Sequence, residues 1–288
     1  MRTSRFATCA LLVGAALSAP AARAAAPVWS TDADQAYAEA RRTGEPLLVD
    51  LYADWCGWCK TLAREVFPDP RFADAVKGFV LLRVDVDDGA RGSELAELYH
   101  VESLPTLLAL EPSGALEGEV RGYSPTAEYV QQIRAVGTIW QKVLEGYRQT
   151  LAASDQDRLR LTALDFYKRR DGERASKLLE RLVAIGHLEG ADGAWVRFFL
   201  ADSLRMARDF AGARAALTRA AKAAEGVADP ELTERLALFS FWIARDESRC
   251  AAAAAALGSF EHRHPKSELL QDARQALDDL RGGASTCS

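Results

Sequence analysis

Val49-Asp50-Leu51-Tyr52-Ala53-Asp54-Trp55-Cys56-Gly57-Trp58-Cys59-Lys60 decides how this chain is read. Leu47 to Tyr52, introduced by Pro46, is short and apolar enough for a buried strand, and a helix is predicted to begin around Cys56. Two cysteines separated by two residues, placed where a strand hands over to a helix, signal thiol–disulfide chemistry. Unsatisfied backbone N–H groups and the positive end of the helix dipole favour a thiolate at Cys56. The dipole supplies at most ~2 kcal/mol, about 1.5 pKa units, so local hydrogen bonds must supply any larger depression. Cys59 lies one turn further on the same face, close enough to attack a mixed disulfide formed at Cys56. The rival is half of a structural zinc site. Its remaining ligands would come from Cys250, Cys287, His100, His187, His262 and His264, which contain no second C-x-x-C, so no metal is expected.

Outward from this motif, strand-like and helix-like segments alternate between Ser30 and about Val136. Ser30 can cap a helix carrying Ala33, Ala36, Tyr37 and Ala40, closed by Gly44. The helix after Cys56 is predicted to break at Pro68, and Asp69-Pro70 starts the next with Asp as cap and Pro at the first helical position. Phe79 to Val86 reads as a second buried strand and Glu94 to Tyr99 as a helical segment. Thr106 to Leu110 and Leu116 to Arg121 are strands around the turn Glu111-Pro112-Ser113-Gly114, and Ser124-Pro125 opens a last helix. Strands separated by helices favour a parallel central pairing, to which the hairpin adds an antiparallel edge.

From about Thr138 onward strands disappear, Ala, Leu and Arg dominate, and the chain repeats itself. Leu164-Asp165-Phe166 leads to Arg170-Asp171 and Ala175. Asp202-Ser203-Leu204 leads to Arg208-Asp209 and Ala213, and Phe239-Ser240-Phe241 leads to Arg245-Asp246 and Cys250, at offsets of 38 and then 37 residues. Two helical stretches joined by a short charged turn bury their apolar faces only by stacking on neighbouring units. This resembles tetratricopeptide-type helical hairpins, without their usual period or aromatic consensus. A concave peptide-binding surface is one reading of such a domain, and a plain packed helical domain is the other.

The first residues read as an export signal. Arg2 and Arg5 precede an apolar stretch from Phe6 to Leu17, and Ala22-Arg23-Ala24 supplies a small-x-small cleavage site after Ala24. The expected organisation is therefore a signal peptide over 1–24, an α/β domain over 28–137 and an α-helical domain over 138–288. Beyond the signal the longest unbroken apolar run is Cys250 to Leu257, too short to span a bilayer. The formal net charge of −5, made more acidic by removal of the signal's arginines, argues against a nucleic-acid surface. With Cys9 in the signal, four cysteines remain, too few to build a disulfide scaffold, so hydrophobic cores must hold the chain together.

The segment Val49 to Lys60 resembles the active-site strand and helix of the thioredoxin superfamily, and Ser103-Leu104-Pro105-Thr106, 46 residues beyond Cys59, matches that family's second hallmark. Ala53-Asp54-Trp55-Cys56 and Val66-Phe67-Pro68-Asp69-Pro70 look most like the subgroup containing the periplasmic C-terminal domain of the transmembrane reductase DsbD. The resemblance covers about residues 28 to 137 and implies an α/β thioredoxin fold, a mixed central sheet flanked by helices. It implies Cys56 as nucleophile, Cys59 as the resolving and more buried thiol, and Asp50 as a buried carboxylate behind it. An Asp inside an apolar strand is costly unless paired, and a raised pKa would suit it to exchange a proton with Cys59. Arg83 falls where many members carry a basic partner, which would pull that pKa down. The rival for Asp50 is a strand-end residue satisfied by solvent. The resemblance also implies a cis Pro105 and a substrate surface of Trp55, Gly57, Trp58, Leu104 and Pro105. For Trp55 core packing is the rival, for Pro105 an ordinary trans proline, and Gly122 is either a close-approach glycine or a turn residue. Trp58 stands where many reducing members have proline, so the redox potential does not follow from the family.

These features give an exported protein-disulfide oxidoreductase acting on protein thiols and disulfides without a cofactor. Reduction is the first expectation and would need electrons from a transmembrane thiol carrier. Oxidation or isomerisation by the same fold is the alternative. A binding adaptor, in which the helical repeats hold a peptide or protein ligand and the thioredoxin half is only a recognition surface, is the competing class. Near the C-terminus, Cys250 opens a helix whose antiparallel partner would bring Cys287 back towards it, so a structural Cys250–Cys287 disulfide is expected, worth at most roughly 4 kcal/mol. The rival makes Cys250 the small packing residue of its repeat and leaves Cys287 on the tail.

Overall fold

The computed structural model describes residues 27–88 and 91–283. The proposed signal segment and Cys287 lie outside the described residues. A four-stranded sheet, order β2-β1-β3-β4, is built from β1 (Leu47–Tyr52), β2 (Val80–Asp85), β3 (Thr106–Leu110) and β4 (Leu116–Arg121). β1 and β2 pair in parallel, Leu47 opposite Val80, whereas β1–β3 and β3–β4 are antiparallel. β1 and β3 are buried along most of their length because each has a strand on both sides and helices over both faces.

Successive residues of β1 point to opposite faces. Leu47, Val49 and Leu51 join the core under α1 (Ala33–Thr43) and α4 (Arg91–Leu98). Leu48 joins the other core, with Leu62, Val66, Phe67, Phe72 and Tyr129, under α2 (Gly57–Thr61), α3 (Pro70–Ala75) and the first half of α5 (Thr126–Ala152). Asp69 caps α3, with Pro70 in its first turn, and Gly44 closes α1 in the left-handed region.

Two local expectations are corrected. Asp32, not Ser30, caps α1; Ser30 is occupied as a bridge to Leu82 at the edge of β2. The helix after Cys56 does not run regularly to Pro68 but changes at Leu62 into a π-turn, with Phe67 N–H donating to Leu62 O at 3.0 Å. α5 runs unbroken through residue 137. Its first half packs Val130 and Ile133 on the sheet, and its second half packs Trp140 and Leu144 into the helical core.

The remaining elements are all helices: α6 (Gln156–Lys168), α7 (Gly172–Ile185), α8 (Gly190–Met206), α9 (Phe210–Ala223), α10 (Pro230–Asp246), α11 (Cys250–Arg263) and α12 (Leu269–Gly283). Asp171 and Asp209 cap α7 and α9, each preceded by an arginine in the left-handed region, Arg170 and Arg208, both at φ 63°. The third turn is Ser248-Arg249, with Ser248 at φ 57°, because α10 continues through Arg245 and Asp246. The small buried residue of that unit is accordingly Ala253, matching Ala175 and Ala213, and not Cys250. At Gly172 a Cβ would lie 2.3 Å from Ser203 O, so only glycine lets α7 start against the end of α8.

The two halves meet at one end of the sheet. Leu116 N–H donates to Arg169 O at 2.8 Å, and the Arg169 guanidinium donates to Leu116 O and Glu117 O. Trp140 donates to Glu111, which also pairs with Arg174 at 3.1 Å. Since Leu47, Leu110 and Leu116 are register partners, this seam lies at the sheet end opposite Tyr52 and Thr106.

Candidate active site

β1 ends at Tyr52 and the chain turns through Ala53, whose carbonyl accepts from Cys56 N–H at 3.0 Å. That turn makes Cys56 the N-cap of α2, with its sulfur accepting from Cys59 N–H at 3.1 Å. A hydrogen bond from an N–H to sulfur is worth most when the sulfur is negative, so this contact favours the thiolate once the pair is reduced. Cys56 and Cys59 are joined in a disulfide, with Cα atoms 5.3 Å apart. Both are buried, packed with Ala53, Tyr52, Val86 and Leu104.

Leu104–Pro105 is a cis peptide, and Leu104 packs against the sulfur pair. Pro105 O accepts from Gly122 N–H at 2.8 Å, where Gly122 adopts φ 74°. Gly122 is thus a left-handed turn residue at the end of β4, a position costly for any side chain.

Trp55 and Trp58 stand out of the surface on either side of the disulfide, 71% and 60% exposed, which excludes core packing for Trp55. Neither indole is loose. Trp55 Nε1 donates to Asp87 at 2.6 Å, and Trp58 stacks on Tyr123 at 5.0 Å and 16°. The Tyr123 hydroxyl in turn donates to Glu65 at 3.0 Å. Asp87, Tyr123 and Glu65 carry no motif of their own, because their contacts join residues far apart along the chain.

Asp50 shares the sheet face of Leu48 and Tyr52, the face covered by α2 and α5. It is 1% exposed, which overturns the solvent-satisfied alternative. Arg83, its register partner on β2, places Nε 2.9 Å from Oδ2, and its guanidinium lies 4.1 Å from the centre of the Tyr52 ring. The ion pair is close but off the hydrogen-bonding direction, and the Asp50 oxygens accept no hydrogen bond among the described residues. Burial pushes the Asp50 carboxyl up to about 6, against the opposing pull of Arg83. The Tyr129 hydroxyl is buried on the same face, its pKa raised by burial and by the Asp50 charge.

Elsewhere, Cys250 heads α11, far along the chain from this site, and its expected partner Cys287 lies outside the described residues. Among the described residues no helix is long and apolar enough to cross a membrane.

Compared with known proteins, residues 28–112 match a family model described as thioredoxin-like. Residues 28–112 are a thioredoxin-like domain. Over 105 residues the chain is 38% identical to the thiol:disulfide interchange protein DsbD of Klebsiella pneumoniae, an alignment covering 35% of this chain and 17% of that protein. Over 77 residues it is 43% identical to DsbD of Pseudomonas fluorescens, covering 26% of this chain and 13% of that protein. A thioredoxin solution structure from Thermus thermophilus shares 30% identity over 36% of this chain and 82% of its own, with a TM-score of 0.33. The chain spans less than a fifth of the length of these curated DsbD relatives. The thioredoxin-like match stops short of α5, so the helical half stands outside it.

Proposed function

We propose that this protein is an exported thiol–disulfide oxidoreductase that reduces disulfides in protein clients. The observation carrying this reading is the Cys56–Cys59 bond at the head of α2, with the Cys59 amide directed at the Cys56 sulfur. In the reduced enzyme the Cys56 thiolate attacks one sulfur of a client disulfide. A Cys56–client bond forms, and the client's other sulfur leaves as a thiolate that takes a proton from water. Cys59 then gives its proton to Asp50 and attacks the Cys56 sulfur, so the mixed disulfide breaks and the client's second thiolate departs. Two electrons pass to the client, and the Cys56–Cys59 disulfide is the product. A dithiol donor restores the reduced state by the same exchange in reverse.

Gly57, Leu104, Pro105 and the two exposed indoles form the client-facing surface, an extended client segment lying along the Pro105 strand entry. Similarity to DsbD supports the reducing direction and a transmembrane thiol carrier as donor, and the Arg2–Ala24 segment supports export to the periplasm. The test is the equilibrium potential of the Cys56–Cys59 couple against glutathione. A value near that of thioredoxin, about −270 mV, supports a reductase, whereas one near the oxidant DsbA, about −120 mV, overturns the direction.

A further inference from the structure

The repeated Arg-Asp turns, which the thiol chemistry leaves unused, converge on a second site. A cleft of about 550 Å³ opens at the seam between α1, α4, the β3–β4 turn and the turns of the helical hairpins. Arg170 and Arg208, equivalent residues of consecutive hairpins, both line it, and Arg41 of α1 lines it from the other side. The carboxylates of this cleft are already engaged: Asp34 and Glu94 by Arg91, Glu111 and Asp171 by Arg174, Glu173 by Lys177, and Asp246 by Arg205 and Arg245. Arg41 and Arg170 form no salt bridge among the described residues, although the Asp202 carboxylate acts on Arg170, and Arg208 donates to the Asp246 carbonyl at 3.3 Å and lies 5.3 Å over the Phe210 ring. Arg170 is half-buried, and burial, with the neighbouring Arg205, disfavours its charge against the smaller opposing pull of Asp202.

The backbone places the two guanidiniums equivalently. Arg170 and Arg208 both sit at φ 63°, a conformation that favours glycine or asparagine at the end of a helix. Ser248 takes the same conformation in the third hairpin, so the turn sets the φ, and at Arg170 and Arg208 it directs two guanidiniums from equivalent positions. Leu98, Pro112 and Met206 give the cleft apolar wall as well, and its volume lies in the range of sites for small organic ligands rather than for a bare inorganic ion.

We propose that this seam cleft binds an organic anion bearing several carboxylates, with Arg170, Arg208 and Arg41 as its ligands. Such an anion could be carried on an acidic peptide segment or be a free organic acid, and both present the planar oxygens that guanidinium forks match. The cleft lies at the end of the sheet away from the disulfide, so it can be filled while a client occupies the active site.

The test is fluorescence anisotropy of a labelled hexaglutamate peptide with the oxidised full chain at low salt, using hexalysine as control. Arg170→Gly and Arg208→Gly delete the guanidinium while suiting the backbone, and the exposed Arg41→Gln and Arg208→Gln variants serve should either glycine variant misfold. Hexaglutamate binds the native chain, and each substitution weakens it by about tenfold. Arg219→Gln, on the exposed side of α9, leaves it unchanged. Displacement by tricarballylate at comparable concentration assigns the site to a free acid, and resistance to it assigns the site to an acidic segment. Absence of hexaglutamate binding, or binding that survives the arginine substitutions, overturns the proposal. The readout involves no thiol chemistry, so it stands or falls separately from the redox reading.

Discussion

Asp50→Asn tests the balance on which the proposed proton transfer rests. Two effects oppose each other at Asp50: removal from water raises its pKa and the guanidinium 2.9 Å away lowers it, with burial prevailing to give about 6 against an ordinary 3.8. The folded state therefore holds this proton more tightly than the unfolded chain does. The stability it contributes is fully present below the unfolded pKa and is lost as pH rises through the folded one. Between pH 5 and pH 7.5 the loss amounts to about 1.4 kcal/mol, and over the whole interval to about 3 kcal/mol. Asparagine has no such slope, and Arg83, itself partly exposed and lying over Tyr52, can tolerate the loss of its partner. Urea unfolding of the oxidised proteins, in which Cys56 and Cys59 do not titrate, should show the Asn variant gaining about 1.4 kcal/mol on the native protein between those two pH values. A carbon-13 titration of the Asp50 carboxyl should have its midpoint near 6. A pH-independent difference between the two proteins, with a midpoint near 4, would mean that Arg83 cancels the burial cost, and the reasoning would be refuted.

Cys59→Ala should accumulate client proteins linked to Cys56, visible as gel-shifted adducts that a reductant releases; Cys56→Ala should give none. Trp58→Ala should raise KM for a protein disulfide about tenfold, the loss expected for one exposed aromatic anchor, while leaving exchange with a small disulfide unchanged. Equal loss on both substrates would place Trp58 in the sulfur chemistry instead. Gly172→Ala forces a methyl to within 2.3 Å of Ser203 O. Overpacking of this kind costs about 1–3 kcal/mol, so the thermal midpoint of the helical half should fall by several degrees.

Most of the α/β half was legible because its signals are local. The run Thr106–Leu110, the turn at Glu111–Gly114 and the run Leu116–Arg121 are defined by apolar pattern and turn residues, and both strands have the expected bounds. The cap of α1 was misplaced because the residue that competes for Ser30 is Leu82, distant in sequence. The third helical unit slipped by three residues for a similar reason. Arg245-Asp246 repeats the composition of the earlier turns, but Arg205 holds Asp246 from the neighbouring helix while α10 continues past the expected corner. At the active site the cysteines announce themselves by spacing, and Pro105 by resemblance to the thioredoxin superfamily. The supports of the indoles, Asp87 and the Tyr123–Glu65 pair, carry no pattern of their own and are found only by folding the chain. Asp50 lies between these cases: sequence exposes the conflict between burial and Arg83, and only geometry weighs the two.

The placement of the helical half follows from the sheet itself. The sulfurs lie beyond the C-terminal end of β1, near the start of β3 and the end of β4. Leu116 and Glu111 are at the other end, one strand length away, which for strands of this size is roughly 17–20 Å. Arg169 ties the helical half to Leu116, Arg174 ties it to Glu111, and Trp140 reaches the same Glu111 from α5. Each of these contacts is made at the far end, so the helices brace the domain without covering Trp55 or Trp58. α5 supplies the rigidity, since it belongs to both cores. A flexible tether would let the halves rotate and would open the seam that Arg170 and Arg208 line. A continuous helix fixes them across the cleft from α1 and α4, and the seam cleft depends on that relation.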